Sequence, residues 1–278
     1  MTRPRRLTAA SPAPLSWTTR LKAIRKLATG RDDYLLIKWS SDDVLEPRDE
    51  DYVMAPVLHI LEREAPHIEQ VLTALGPSFE RAPQALGSLS SNGHFTGCDA
   101  FAAYAMLQHH RPRRLVEVGS GHSTLIFRQA ARDAQLDLHI TCIDPQPRRS
   151  VGEAADTLVR RSVLDCGVDI ADELDAGDFL FIDGSHHAFN GTDVPYLFLE
   201  ILPRIRAGVV VHVHDIMLPY EYPSLFTERG YNEQYVLAAL LLGGACWQPL
   251  LPVYWLSRRG RLPPGGSFWM RRSDDGAG

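Results

Sequence analysis

Residues 115–124 read LVEVGSGHST, and this stretch decides the fold. Leu115 to Val118 reads as a buried strand; it runs into Gly119-Ser120-Gly121 and then into a helix beginning near Ser123. Glycines at such a turn let the backbone approach a ligand, and the free N–H groups of the following helix face that ligand's polar atoms. A GxG turn alone is weak evidence, but two acids sharpen it. Glu117 lies within the strand, and Asp144 ends the next one, where it can accept hydrogen bonds from ribose hydroxyls. A dinucleotide site carries a third small residue, GxGxxG, and Thr124 holds that position here. A buried Glu117 also suits an ammonium group better than a pyrophosphate, because an opposite charge stabilises each partner. The plainer reading of Glu117 is a satisfied core carboxylate. That needs a partner inside the protein, and the local sequence has no adjacent Lys or Arg.

Working outward, short apolar runs alternate with helical segments. The runs are Leu115–Val118, Leu138–Ile143, a weaker one at Val159–Leu164, Phe179–Ile182 and Val209–Val213. Such alternation means βαβ units and a parallel sheet with helices on both faces. Two further strands, over Trp247–Leu256 and Ser267–Met270, flank the turn-forming stretch Arg258–Gly266 and would close the sheet as a hairpin. The expected fold is α/β: a Rossmann-like, doubly wound, mostly parallel seven-stranded sheet with an antiparallel C-terminal hairpin and a helical N-terminal extension. Upstream, residues 51–75 carry apolar positions at helical spacing, broken near Pro66 and stopped at Gly76-Pro77. Another helix spans about Asp99 to His109. The division is a flexible basic tail (1–16), a helical cap (17–95) and a ligand-binding domain (96–278).

The LVEVGSG stretch resembles the class I S-adenosylmethionine-dependent methyltransferases, in which the strand acid two residues before the first glycine serves the amino end of the methionine moiety. Asp165 matches the position where that family holds the adenine amino group; an Asp in a loop is otherwise a helix cap. The resemblance implies a cofactor-binding set of Glu117, Gly119, Ser120, Gly121, Ser123, Thr124, Asp144, Asp165 and Asp183.

Phe179–Phe189, FLFIDGSHHAF, ends a buried strand in Asp183 and follows it with two histidines; His214-Asp215 then follows the strand Val209–Val213. Ligands sit at the carboxyl ends of strands in open α/β sheets, so Asp183, His186, His214 and Asp215 should converge. From about Asn92 onward the chain is similar to the methyltransferase group of natural-product and sugar pathways (methyltransferase family 24-like), and more distantly to catechol and caffeoyl-coenzyme A O-methyltransferases. What this implies is O-methylation of a small-molecule substrate. Asp183 and Asp215 match two metal-ligating aspartates of the metal-dependent members, but Ile216 stands where an Asn would be and cannot ligate a hard cation. A divalent metal therefore stays open, with imidazoles favouring a transition metal over Mg²⁺. Without metal, a base must take the acceptor's proton, and His214 or His186, assisted by Asp215, is the candidate. His212 alternates with His214 and reads as a core histidine, and His187 should point away from whatever His186 faces. Three other functions remain: a different use of the same sulfonium, such as cyclisation, a metal-dependent hydrolase built on His212, His214 and Asp215, and a non-catalytic cofactor-binding or scaffold protein.

Composition narrows the rest. The 278 residues are 45 % apolar and 23 % charged, ordinary globular usage, and the net charge of -5 argues against a nucleic-acid partner. No apolar stretch reaches the ~20 residues of a transmembrane helix. Cys98, Cys142, Cys166 and Cys246 form no CxxC pair, which with the absence of a secretory leader reads as reducing cytoplasm. The segment from Trp17 is a basic amphipathic helix, read as docking on the chain's own catalytic domain rather than on an anionic membrane. Acceptor and oligomeric state, a homo-oligomer included, are not legible.

Overall fold

In a computed structural model, which describes residues 48–95, 97–147, 151–244 and 246–274, the strand β1 (Arg114–Val118) lies in the interior of a seven-stranded sheet. It pairs in parallel with β2 (His139–Ile143) on one side and β4 (Phe179–Ile182) on the other. Beyond β2 lies β3 (Thr157–Val159), and beyond β4 lies β5 (Val210–Val213), both parallel. β7 (Phe268–Arg272) runs antiparallel to β5, and β6 (Trp247–Pro252) antiparallel to β7, giving the order β3-β2-β1-β4-β5-β7-β6. The expected mostly parallel sheet with an antiparallel C-terminal pair is what forms. β4 and β5 are buried at every position, as strands covered on both faces must be. After β1 the chain builds outward through β2 and β3, then returns to place β4 on the opposite side. A crevice must open above that reversal, at the carboxyl ends of β1 and β4.

Three elements differ from the sequence reading. The helix α1 (Ala55–Leu86) passes straight through Pro66, Pro77 and Pro83. All three prolines lie on its exposed side, while Val57, Ile60, Leu61, Ile68, Val71, Leu75 and Ala82 keep one buried stripe. Burial of that stripe against α2 (Gly97–His110) and β6 offsets the ~3 kcal/mol that each internal proline costs, and carbonyls freed on the solvent side can bond to water. β3 stops at Val159, because Ser162 accepts a hydrogen bond from the Leu164 N–H (3.3 Å) and starts a 3₁₀ turn at Val163–Asp165. The strand expected over Trp247–Leu256 ends at Pro252, which brings no N–H to the ladder; Val253–Arg258 coils into a helical turn instead. The basic helix expected from Trp17 and the flexible tail fall outside the described residues. Among the described residues, no helix is long and apolar enough to cross a membrane.

Candidate active site

The β1 turn is built by its own side chains. Glu117 is fully buried beneath it, and its two oxygens accept hydrogen bonds from Ser123 Oγ, from Thr124 Oγ1 (2.6 Å) and from the Cys142 thiol (3.1 Å). Thr124 Oγ1 in turn accepts from the Gly121 N–H at 3.2 Å, so one carboxylate pins the first turn of α3 (His122–Asp133) to β1. The partner that the local sequence did not offer as Lys or Arg is supplied by hydroxyls six and seven residues on. Burial pushes the Glu117 carboxyl up to about 7, against the pull of those three donors. Asp144 closes the loop from β2: Oδ2 accepts from the Ser120 N–H (2.9 Å) and hydroxyl (2.8 Å), and Oδ1 from the Gln146 N–H (2.8 Å).

The two glycines serve different needs. Gly119 has φ +83°, and a Cβ there would lie 2.0 Å from the Asp183 carbonyl oxygen; it is required by the close approach of the β1 and β4 loops. At Gly121 a Cβ would meet nothing within 4 Å, so its bareness leaves room in the cleft itself.

That cleft, of about 1030 Å³, opens at the carboxyl ends of the strands. Gly119, Ser120, Gly121, Ser123, Asp144, Asp183, His186, His214 and Asp215 all line it. Glu117 and Thr124 lie beneath the lining. Asp165 also stays off it, on the exposed side of its 3₁₀ turn, and Ser162, Val163 and Leu164 line the wall beyond Asp144 instead. Asn92 to Phe95 cover one side, and Leu225, Phe226, Arg229 and Tyr231 from the loop after β5 cover the other.

Beyond the glycine turn, four predicted residues meet. His186 Nε2 is 3.4 Å from Asp183 Oδ1 and 3.7 Å from Asp215 Oδ2. His214 Nδ1 is 3.4 Å from Asp183 Oδ1 and 3.5 Å from Asp215 Oδ1. His186 (φ +61°) and Asp215 (φ +55°) are both left-handed, a strained backbone for residues other than glycine and one that gathers at functional sites. Each imidazole also turns its other nitrogen to an acid that sequence reasoning missed: His186 Nδ1 to Glu233 Oε2 at 2.9 Å, and His214 Nε2 to Asp99 Oδ2 at 3.6 Å. Asp99 opens α2 and Glu233 opens α4 (Glu233–Leu242), positions where an acid reads simply as complementing the helix dipole. Burial pulls both histidines down, but the surrounding carboxylates overcome it and hold both well above the ordinary imidazole range. Asp183, likewise pushed up by burial, is held well below the carboxylate range by His214 and His186.

His212 is different. Fully buried, it stacks on Phe181 (centroids 3.9 Å apart) and bonds Ser267 Oγ at 3.0 Å, and burial pushes it well below the imidazole range. It is the core histidine expected, which takes the first ligand from the hydrolase reading. His187 turns outward to the Arg229 carbonyl (2.9 Å).

Sheet order, glycine turn and cleft together make a ligand site at the carboxyl ends of the strands. Residues 116–216, just over a third of the chain, match a family model described as a methyltransferase domain (methyltransferase family 24). An uncharacterized protein of Archaeoglobus fulgidus is 41 % identical over 58 residues, 20 % of this chain; the match spans about a quarter (26 %) of that relative's own length. Among solved structures, the O-methyltransferase TomG of Streptomyces achromogenes, involved in tomaymycin synthesis and bound to S-adenosylmethionine, is 17 % identical, with TM-score 0.44 over 70 % of this chain and 89 % of its own. A Bacillus cereus O-methyltransferase in complex with S-adenosylhomocysteine is 14 % identical, with TM-score 0.43 over 84 % and 94 %. Likeness at that level specifies neither acceptor nor chemistry for this chain.

Proposed function

We propose that this protein transfers the methyl group of S-adenosylmethionine to a hydroxyl oxygen of a small molecule seated over Asp183, His186, His214 and Asp215, in the reducing cytoplasm. The observation that carries the reading is the meeting of two imidazoles and two carboxylates beside the glycine turn, in one cleft. Adenosine would lie toward Asp144 and Ser162–Leu164, with a ribose hydroxyl donating to lone pairs that Asp144 still has free; a carboxylate has about four acceptor sites, and three are used. The acceptor oxygen attacks the sulfonium methyl in line: the C–O bond forms as the S–C bond breaks, S-adenosylhomocysteine leaves, and His186 Nε2 takes the hydroxyl proton. All four cysteines are free thiols, which supports the compartment.

A second reading has its own support. The four contacts, at 3.4–3.7 Å, are longer than hydrogen bonds, and His186 bonds its far nitrogen to an outer carboxylate, as metal-ligating histidines do. Two imidazoles and two carboxylates suit a transition metal better than Mg²⁺, and Ile216, buried at 1 % exposure, adds no donor. Such a cation would polarise the acceptor oxygen. Radiolabelled methyl transfer to a panel of hydroxylated small molecules tests both. In the first reading transfer survives chelator, and His186→Ala loses on the order of 10² to 10⁴ in rate. In the second, chelator abolishes transfer and a divalent cation restores it. No transfer to any oxygen acceptor, with S-adenosylmethionine bound, would refute O-methylation.

A further inference from the structure

Glu233 lies 47 residues beyond His186 and is fully buried, on an element the family match does not reach. As a helix-opening acid it complements the dipole of α4, but that role works at the surface and does not require burying a carboxylate away from water. Its Oε1 has no hydrogen-bond partner, and its Oε2 faces a single group, His186 Nδ1 at 2.9 Å. The neighbouring residue completes the grip. The Asn232 N–H donates to the His186 carbonyl (3.1 Å), and Asn232 Oδ1 accepts from the Ala188 N–H (2.6 Å), so the loop that holds His186 in its left-handed conformation is fastened to the start of α4. Tyr231 packs against the ring, centroids 4.4 Å apart.

We propose that Glu233 is a positioning residue for His186: it accepts the Nδ1 proton and so presents the Nε2 lone pair to Asp183, Asp215 and the acceptor. The claim rests on the reading of His186 as a group of the reacting centre, and it holds whether Nε2 meets a hydroxyl proton or a cation. Neutral imidazole in water prefers its proton on Nε2, so the acid reverses the ring's default tautomer. Glu233 touches no substrate in this account and acts only through His186.

The test is nitrogen NMR of the full chain labelled with ¹⁵N-histidine, with the His186 signals assigned by their loss in His186→Gln. At alkaline pH, where the ring is neutral, the wild type carries its proton on Nδ1, and Glu233→Leu, which removes the acceptor, shifts the population to the Nε2–H form. S-adenosylhomocysteine affinity, read by calorimetry, stays unchanged in the variant. Methyl transfer falls on the order of 10- to 100-fold, the usual cost of losing such an outer partner, and the same change costs nothing further in a His186→Ala background. If Glu233→Leu does not fold, Glu233→Asp, whose carboxylate falls short of Nδ1, takes its place with the same expectation. A wild-type Nε2–H tautomer, an unshifted variant spectrum, or losses that multiply with His186→Ala would each overturn the proposal. A wild type that binds no S-adenosylhomocysteine would refute the methyltransferase reading and leave the tautomer result standing by itself.

Discussion

Glu117 shows how one side chain can carry an assignment for a reason other than the one its position suggests. In the sequence it is an unpartnered acid at a ligand-binding turn; in the fold, Ser123, Thr124 and Cys142 donate to it and it holds the turn's shape. Because burial pushes its carboxyl up to about 7 from an ordinary value near 4.5, the folded state binds more protons than the unfolded between those pH values. Stability from this group is therefore complete below about pH 4.5 and is lost as pH rises through 7, by up to roughly 3 kcal/mol. Glu117→Gln keeps the shape without the charge, so its Tm should gain on the wild type's from pH 5 to pH 8; a difference independent of pH would mean Glu117 is not shifted. The histidines are shifted in the same direction, and in them the extra proton is a positive charge. Held well above the imidazole range by their carboxylates, His186 and His214 are protonated at neutral pH, and the base form of His186 appears only on the alkaline side. Methyl transfer should accordingly climb with pH above neutrality, and a rate profile flat from pH 6 to 9 would remove His186 as the base.

Among elements, the β1 turn is the most legible, because its glycines, its acid and the switch from strand to helix all lie within ten residues. Its two glycines were nevertheless not distinguishable, since the atom that forbids a side chain at Gly119 belongs to Asp183, sixty-four residues on. Gly119→Ala should cost about 2 to 4 kcal/mol of folding stability through the clash and the left-handed backbone, whereas Gly121→Ala should leave Tm nearly unchanged. Equal destabilisation in thermal melts would contradict this geometry. The helix α1 was misjudged for a related reason. Pro66 and Pro77 are helix breakers by local propensity, yet they fall on the outer face, and the stripe they interrupt in sequence is continuous in packing. Asp99 and Glu233 stayed hidden because a helix-opening acid has a sufficient local explanation, and only the return of the chain to His214 and His186 gives them another.

Over the whole molecule, the alternation of apolar runs dictated the parallel sheet, and its reversal after β3 put the cleft at the carboxyl ends of β1 and β4. The strand-end residues Asp144, Asp183, His214 and Asp215 were readable because strand ends are where such a sheet binds. The walls from Asn92–Phe95 and Leu225–Tyr231 were less so, since loops follow no period. The central claim is that the cleft walled by the glycine turn takes the adenosyl sulfonium cofactor. The most direct measurement is calorimetric titration of the full chain with S-adenosylhomocysteine, set beside two variants of the cleft wall. The wild type should bind one equivalent. Gly121→Val, which fills open space at the turn, should abolish binding while remaining folded, and Asp144→Ala should weaken it by roughly 1 to 3 kcal/mol, the worth of charge-assisted hydrogen bonds. Absence of binding to the wild type, or wild-type affinity in a folded Gly121→Val, would contradict the account.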